Sequence, residues 1–148
     1  METTHATRKG THKEHVFLLE ELHQLERDVV GLQCYSEVLA EKAAPQELEQ
    51  ISRHLSEWLP QHFRREEETL FAKAARISPE LEDFCRLMRD EHAELLVRLS
   101  RLGDAIDALQ REESVNDTIY HVKKEAKEFT LRLRDHVALE EEEFRGFL

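Results

Sequence analysis

Glycine and proline are scarce in this sequence, with 4 glycines and 3 prolines among 148 residues. Both residues interrupt helices, and 36% of the chain is charged, so the composition is that of long helices rather than of sheet or disorder. Low-complexity sequence is absent apart from the run EEEE at 140–143. The composition therefore predicts an all-α protein, and the length fits a single domain over residues 1–148.

Cysteine is also rare, and the two cysteines, Cys34 and Cys85, do not form a C-x-x-C motif. They also fall in different predicted helices, so the sequence shows neither a zinc knuckle nor a redox-active cysteine pair. We expect both thiols to be reduced and structural.

Long apolar runs and clusters of positive charge are missing as well. No stretch approaches the roughly 20 residues of a membrane span, and the opening METTHATRKG lacks the apolar centre of a secretory leader. The net charge of −11 repels nucleic acid and anionic lipid. We therefore expect a cytoplasmic protein that binds neither nucleic acid nor membrane; the acidity supports cation binding only weakly.

Three interruptions divide the chain: Pro45, the pair Ser78-Pro79, and the polar stretch 111–117. Ser78 before Pro79 has the pattern of a helix N-cap followed by a proline in the first turn. Short connections between long helices favour an up-down-up-down antiparallel four-helix bundle. The predicted helices cover about 11–42, 46–76, 79–111 and 116–145, and residues 1–10 are predicted to be flexible.

Apolar residues recur every three or four positions in each segment, as the buried face of a helix requires. The predicted core comprises Leu18, Leu22, Leu25, Val29 and Leu32 in the first segment, Ile51, Leu55 and Trp58 in the second, Phe84, Met88, Leu95, Leu99, Leu102, Ile106 and Leu109 in the third, and Ile119, Val122, Ala126, Phe129 and Leu133 in the fourth. The same steps bring polar residues onto these buried faces. They are His15, His62, Glu66, His92, His136 and Glu140.

The segments repeat, because KEHVFLLEEL resembles DEHAELLVRL and HFRREEETLF resembles HVALEEEEF. The chain thus resembles two similar helical hairpins. His62 and His92 are equidistant from the Ser78-Pro79 break, which places them at one level of the bundle. His15 and Glu66 fit their turn less well, so a helix tilt or a kink at Pro60 must absorb the difference.

Two interpretations compete for this set. A metal-free polar core would bury two carboxylates and four imidazoles at a cost of several kcal/mol per ion. A bound pair of divalent cations removes that objection, because the cations neutralise the carboxylates and accept the imidazole lone pairs. Imidazole and carboxylate donors suit iron, with manganese and zinc as competitors. The flanking glutamates, including Glu67 and Glu68, are expected to be solvated, as most charge runs are.

At these motifs the chain resembles the hemerythrin-like, or HHE cation-binding, domain family. The resemblance rests on KEH at His15, HFRREEE at 62–68, DEH at His92 and HVALEEEE at 136–143, and it covers essentially the whole chain. It implies a four-helix bundle that holds two iron ions, oxo- or hydroxo-bridged, which bind O2 or NO. The implied terminal ligands are the four histidines His15, His62, His92 and His136, and the implied bridges are Glu66 and Glu140.

Leu96 stands where the similar oxygen carriers have a second histidine on the third helix, so simple O2 storage is not the only expectation. Sensing, transfer or detoxification of O2 or NO, iron handling, a di-iron peroxidase or NO reductase, iron-sulfur cluster repair, and a metal-responsive interaction module stay open. A protein partner or electron donor is not identified. The carriers' spacing would select Glu141 as bridge instead of Glu140, and His12 is a minor alternative ligand near the helix start.

Overall fold

The computed structural model describes residues 4–32, 43–111 and 115–145. Within these ranges the chain is helical, with no strand. Four long helices follow one another: α1 (Thr4–Gly31), α2 (Ala43–Arg65), α3 (Pro79–Gln110) and α4 (Val115–Arg145). After α2 the chain continues as a π-helix, Glu66–Phe71, and a last α-helical turn, Ala72–Ala74. The all-α prediction is confirmed.

The helix boundaries differ from the predicted ones mainly at the start of the chain. Helix α1 begins at Thr4, before the predicted start at residue 11, and α2 begins at Ala43, just before Pro45. The predicted end of the first helix at residue 42 and the role of Cys34 lie outside the described residues. None of the described helices is long and apolar enough to span a membrane.

Ser78 caps α3, as the sequence predicts. Its backbone is extended (φ −157°, ψ 154°), its side chain accepts a hydrogen bond from the Leu81 amide at 3.1 Å, and Pro79 follows in the first turn. The Ser78 hydroxyl thereby satisfies one of the amides that a helix start leaves without a partner.

The predicted apolar faces form most of the buried core, which divides into two clusters. The larger cluster draws leucines from all four helices, and full burial of each stabilises the fold by roughly 1.5–3 kcal/mol. The smaller cluster consists of Leu70, Phe71, Ala74, Leu81, Cys85, Met88 and Phe144. On α3, His92 lies between Met88 of the smaller cluster and Leu95 of the larger one, so a polar layer separates the two.

Side-chain contacts between neighbouring helices run in reversed order along the chain. On α1 and α2, Glu14 contacts His62 whereas Glu21 lies 3.5 Å from His54. On α3 and α4, Glu91 contacts His136 at 3.0 Å and Arg98 contacts Glu128 at 2.9 Å. Helix α1 also packs on α4, and α2 packs on α3. Each helix therefore has two neighbours around a shared core.

Candidate metal centre

The six polar residues on the predicted buried faces meet in the layer between the two apolar clusters. Each is at most 2% exposed. Helix α1 contributes His15, α2 contributes His62, the π-helix contributes Glu66, α3 contributes His92, and α4 contributes His136 and Glu140. Helical segments distant in sequence thus place six donor side chains in one interior site.

Glu66 lies at the centre of this cluster. Its Oε2 is 3.1 Å from Nε2 of His15, and its Oε1 is 3.3 Å from Nε2 of His62 and 3.2 Å from Nε2 of His92. Glu140 lies against the fourth histidine, with Oε1 2.8 Å from Nε2 of His136. Every imidazole therefore directs Nε2 inward, toward a carboxylate.

The donor atoms form two overlapping groups whose members lie within 4.8 Å of one another. One group contains Glu66, His92, His136 and Glu140, and the other contains His15, His62 and Glu66. Each group has enough donors to hold one metal ion, and Glu66 belongs to both. Nitrogen and oxygen donors without a thiolate fit a first-row divalent metal.

Several inward-facing atoms have no hydrogen-bond partner among the described residues. These atoms are Nε2 of His62, His92 and His136, Oε1 of Glu66, and both carboxylate oxygens of Glu140. The nitrogens approach the carboxylates closely but without the angles of hydrogen bonds. Leaving a buried polar atom unpaired costs about 1–3 kcal/mol, and a cation between these atoms removes that cost. The residues present therefore fit a metal.

The outward ring nitrogens contact four glutamates, of which the sequence suggested a functional role only for Glu141, as an alternative bridge. Each Nδ1 contacts one carboxylate: His15 contacts Glu141 at 2.9 Å, His62 contacts Glu14, His92 contacts Glu67 at 2.7 Å, and His136 contacts Glu91 at 3.0 Å. A carboxylate only accepts, so Nδ1–H donates in each pair. A sequence signal existed, because each of these glutamates directly precedes or follows one of the six interior residues.

Glu67 differs from its expected environment, and the two minor alternatives, Glu141 and His12, lie outside the donor groups. Glu67 is not simply solvated, because its side chain is 33% exposed and accepts a hydrogen bond from His92. Glu141, the alternative bridge, lies on the outer side of His15 and also contacts His12 at 2.8 Å. The His12 side chain is 60% exposed, and neither His12 nor Glu141 belongs to the two donor groups.

The metal-free site raises the pKa of three histidines, His15, His62 and His136; for His136, burial is outweighed by contacts with Glu140 and Glu91. Burial by itself lowers the pKa of His15, but hydrogen bonds with Glu141 and Glu66 outweigh burial and raise this pKa to about 10. Burial also lowers the pKa of His62, but contacts with Glu14 and Glu66 outweigh burial and raise this pKa to about 8. A metal must therefore displace protons to bind these nitrogens.

The two interior carboxylates shift in opposite directions. Burial opposes ionisation of Glu66, but contacts with His15, His62 and His92 hold its pKa well below the ordinary value. Burial and the negative charge of Glu66 raise the pKa of Glu140. Two adjacent buried carboxylates resist simultaneous ionisation, and a cation between them reverses that preference.

Aromatic rings enclose the histidines. Trp58 stacks on His62 with ring centroids 5.0 Å apart, and Phe63 stacks on His92 at 3.8 Å. Phe71 lies on His92 as well, at 5.4 Å. A cavity of about 220 Å³ opens nearby, with Glu91, Leu95 and Leu139 among its lining residues. The site is thus walled by apolar groups, and one surface cavity reaches the carboxylate that contacts His136.

Comparison with known proteins leaves one informative match. No curated protein and no solved structure matches the chain significantly. The family model described as "Hemerythrin HHE cation binding domain" matches residues 6–148. Since this match covers nearly the full chain and the buried cluster can hold metal ions, the chain belongs to the hemerythrin HHE cation-binding family.

Proposed function

We propose that this protein holds a dinuclear non-haem iron centre that binds O2 or NO. The observation that carries the proposal is the pair of buried donor groups that share Glu66. A carboxylate that contacts histidines of both groups is suited to bridge two metal ions. Its Oε2 faces His15, and its Oε1 lies near both His62 and His92.

In this proposal the four histidines are terminal ligands. His15 and His62 would hold one iron, and His92 and His136 would hold the other. Glu140 is the second bridge, supported by Oε1 lying 2.8 Å from His136 Nε2 and 3.7 Å from His15 Nε2. The absence of cysteine from both donor groups favours iron over copper(I), while manganese and zinc are the competing metals.

When bound, the iron ions supply an open coordination position and the electrons that stabilise a bound diatomic molecule. The protein's contribution is to exclude water and fix the donors. The rings of Trp58 and Phe63 pack against two of the histidines, and Leu95 and Leu133 are buried beside the site. An apolar wall of this kind limits access of bulk water and protons. Sensing, transfer or detoxification of O2 or NO, or iron handling, are the roles such a site supports.

The proposal also includes the helix topology and the cellular location. We infer an up-down-up-down antiparallel arrangement in a single domain, supported by the reversed order of contacts between neighbouring helices. The acidic composition argues against a nucleic-acid partner, and a cytoplasmic location is part of the proposal. An electron donor or protein partner is left unassigned.

Metal content tests the dinuclear site. We expect protein purified without added metal, then loaded anaerobically with ferrous iron, to bind two irons per chain. Glu66→Ala removes the shared carboxylate and should abolish that stoichiometry. Glu68→Ala, on an exposed neighbour, removes the same charge and should leave two irons bound. A Glu66→Ala protein with two irons and an unchanged optical spectrum would refute the shared-carboxylate site.

Gas binding is tested separately on the iron-loaded protein. We expect its optical spectrum to differ under argon, under air and with NO, because a diatomic ligand alters the iron charge-transfer bands. Identical spectra under all three atmospheres, in protein that retains two irons, would reject gas binding while leaving the metal site intact.

A further inference from the structure

The four glutamates on the outer sides of the histidines form a closed ring around the bundle. Glu14 of α1 contacts His62 of α2, and Glu67 of the π-helix contacts His92 of α3. Glu91 of α3 contacts His136 of α4, and Glu141 of α4 contacts His15 of α1. Each helical segment thus gives a carboxylate to the histidine of the next segment. We call these residues, Glu14, Glu67, Glu91 and Glu141, the carboxylate ring.

We propose that the carboxylate ring positions the metal centre, because each glutamate fixes its histidine on the next helix with Nδ1–H directed outward and Nε2 free toward the metals. This inference rests on the proposed dinuclear site and adds four residues outside the donor groups to it. They are positioning residues, since none of them belongs to those groups.

The repeated geometry supports a common role. The four glutamate side chains are 29%, 33%, 32% and 30% exposed, in chain order, whereas their histidines are at most 3% exposed. All four carboxylates therefore lie at one depth, between solvent and the interior. A carboxylate that accepts Nδ1–H favours the neutral tautomer whose Nε2 keeps a lone pair for a metal, and the acceptor also increases the donor strength of the imidazole.

Neighbouring side chains, two arginines and one histidine, contact three members of the ring. The second oxygen of Glu14 accepts a hydrogen bond from Arg65 at 2.9 Å, and Oε1 of Glu67 lies 3.9 Å from Arg89. Glu141 also contacts His12. Glu91 instead lines the surface cavity. Glu14, Glu67 and Glu141 would each lose one of these additional contacts when substituted. Substitution of Glu91 removes none of these contacts, so Glu91 is the position to test.

The ring predicts an effect that sequence proximity does not. Glu91 directly precedes His92 in the chain, yet it contacts His136 on the neighbouring helix. A change at Glu91 should therefore alter the imidazole of His136. A merely local disturbance of α3 would instead alter His92.

The experiment uses the full chain loaded with zinc, because zinc is diamagnetic and the imidazole protons can be observed by NMR. We expect four slowly exchanging Nδ1 protons in the wild-type protein. Glu91→Ala should remove the signal of His136, retain that of His92, and weaken zinc binding at one position by 10–100-fold in a chelator competition. Glu91→Gln retains an acceptor oxygen, so it should restore the His136 signal.

Asp90→Asn is the matched control, because Asp90 is exposed and its substitution removes the same charge from the same turn of α3. This variant should retain all four signals and wild-type zinc affinity. Four unchanged signals and unchanged affinity in Glu91→Ala, or loss of the His92 signal instead, would overturn the ring while leaving the dinuclear site standing. Failure of the wild-type protein to bind two metal ions would overturn both proposals.

Discussion

Three consecutive glutamates occupy three environments at the start of the π-helix. Glu66 is 1% exposed and faces the histidines, Glu67 lies at the surface against His92, and Glu68 is exposed. Successive residues of a helix point in different directions around its axis, so one short acidic run can supply a buried donor, a positioning residue and a solvated charge. The chemistry of a glutamate here is decided by its angle around the helix axis.

The raised pKa values of His15 and His62 predict an alkaline loss of stability in the metal-free protein. The folded pKa of His15 is about 10 and that of His62 about 8, against an ordinary value of 6.5. Their contribution to the free energy of unfolding is therefore complete below pH 6.5 and is lost as the pH rises through 8 to 10. Urea unfolding of chelator-treated protein at several pH values measures this decline.

At acid pH, the lowered pKa of Glu141 predicts a loss of stability as the pH falls. The pKa of Glu141 is lowered to about 2 from 4.5 by its hydrogen bond with His15, so its contribution to the free energy of unfolding is present above pH 4.5 and is lost as the pH falls.

Metal-loaded protein is the control for the alkaline prediction, because bound metal keeps the imidazoles unprotonated and removes the alkaline decline. Stability of the metal-free protein that rises between pH 6.5 and 9 would contradict the assignment.

At the scale of helices, the π-helix is the element that the sequence did not reveal. It begins at Glu66 and ends at Phe71, and both Leu70 and Phe71 are buried. Two adjacent buried apolar residues depart from the spacing of three and four along an α-helix. Within this wider turn Glu66 faces the buried histidines while Phe71 packs on His92. A π-helical turn at a functional site is a common arrangement.

The N-cap of α3 offers a test at this scale. Ser78→Ala removes the hydrogen bond to the Leu81 amide and should lower the free energy of unfolding by about 1 kcal/mol. Ser100→Ala, at an exposed position inside the same helix, should change it little. Urea denaturation at constant metal content compares the two. Equal losses in both variants would show that the cap contributes nothing.

At the scale of the molecule, the polar layer separates two apolar clusters and draws on every helix. The larger cluster can hold the bundle together without metal, whereas the polar layer keeps unpaired buried atoms until a cation binds. Metal binding and folding stability should therefore be coupled, with the metal adding stability to a protein that is already folded.

Metal removal tests this coupling. Binding at a thousandfold excess over the dissociation constant stabilises by about 4 kcal/mol, which corresponds to a rise in Tm on the order of 10 °C for a chain of this size. We expect chelated protein to keep its helical circular dichroism at room temperature but to melt earlier by about that amount. Calorimetry measures both states. Equal Tm values in proteins that differ in metal content would contradict the coupling.

The sequence by itself determined the helical class, the buried faces and the six interior residues. Spacing of three and four decides which side of a helix is apolar, and this is a local property of the chain. His15 and Leu18, or Leu133 and His136, lie on one face wherever their helix packs. The Ser78 cap was equally local, since it involves the amide only three residues away.

Only the tertiary structure decided how these faces meet. The structure shows that Glu66 belongs to both donor groups, that it lies in a π-helix, and that each outer glutamate reaches the histidine of the next helix. These features depend on how segments far apart in the chain pack together. Glu67 illustrates the difference: its own helix leaves it at the surface, and only the neighbouring α3 brings His92 within 2.7 Å of it. Local periodicity sets which way a side chain points, but the partner that it meets depends on helix packing.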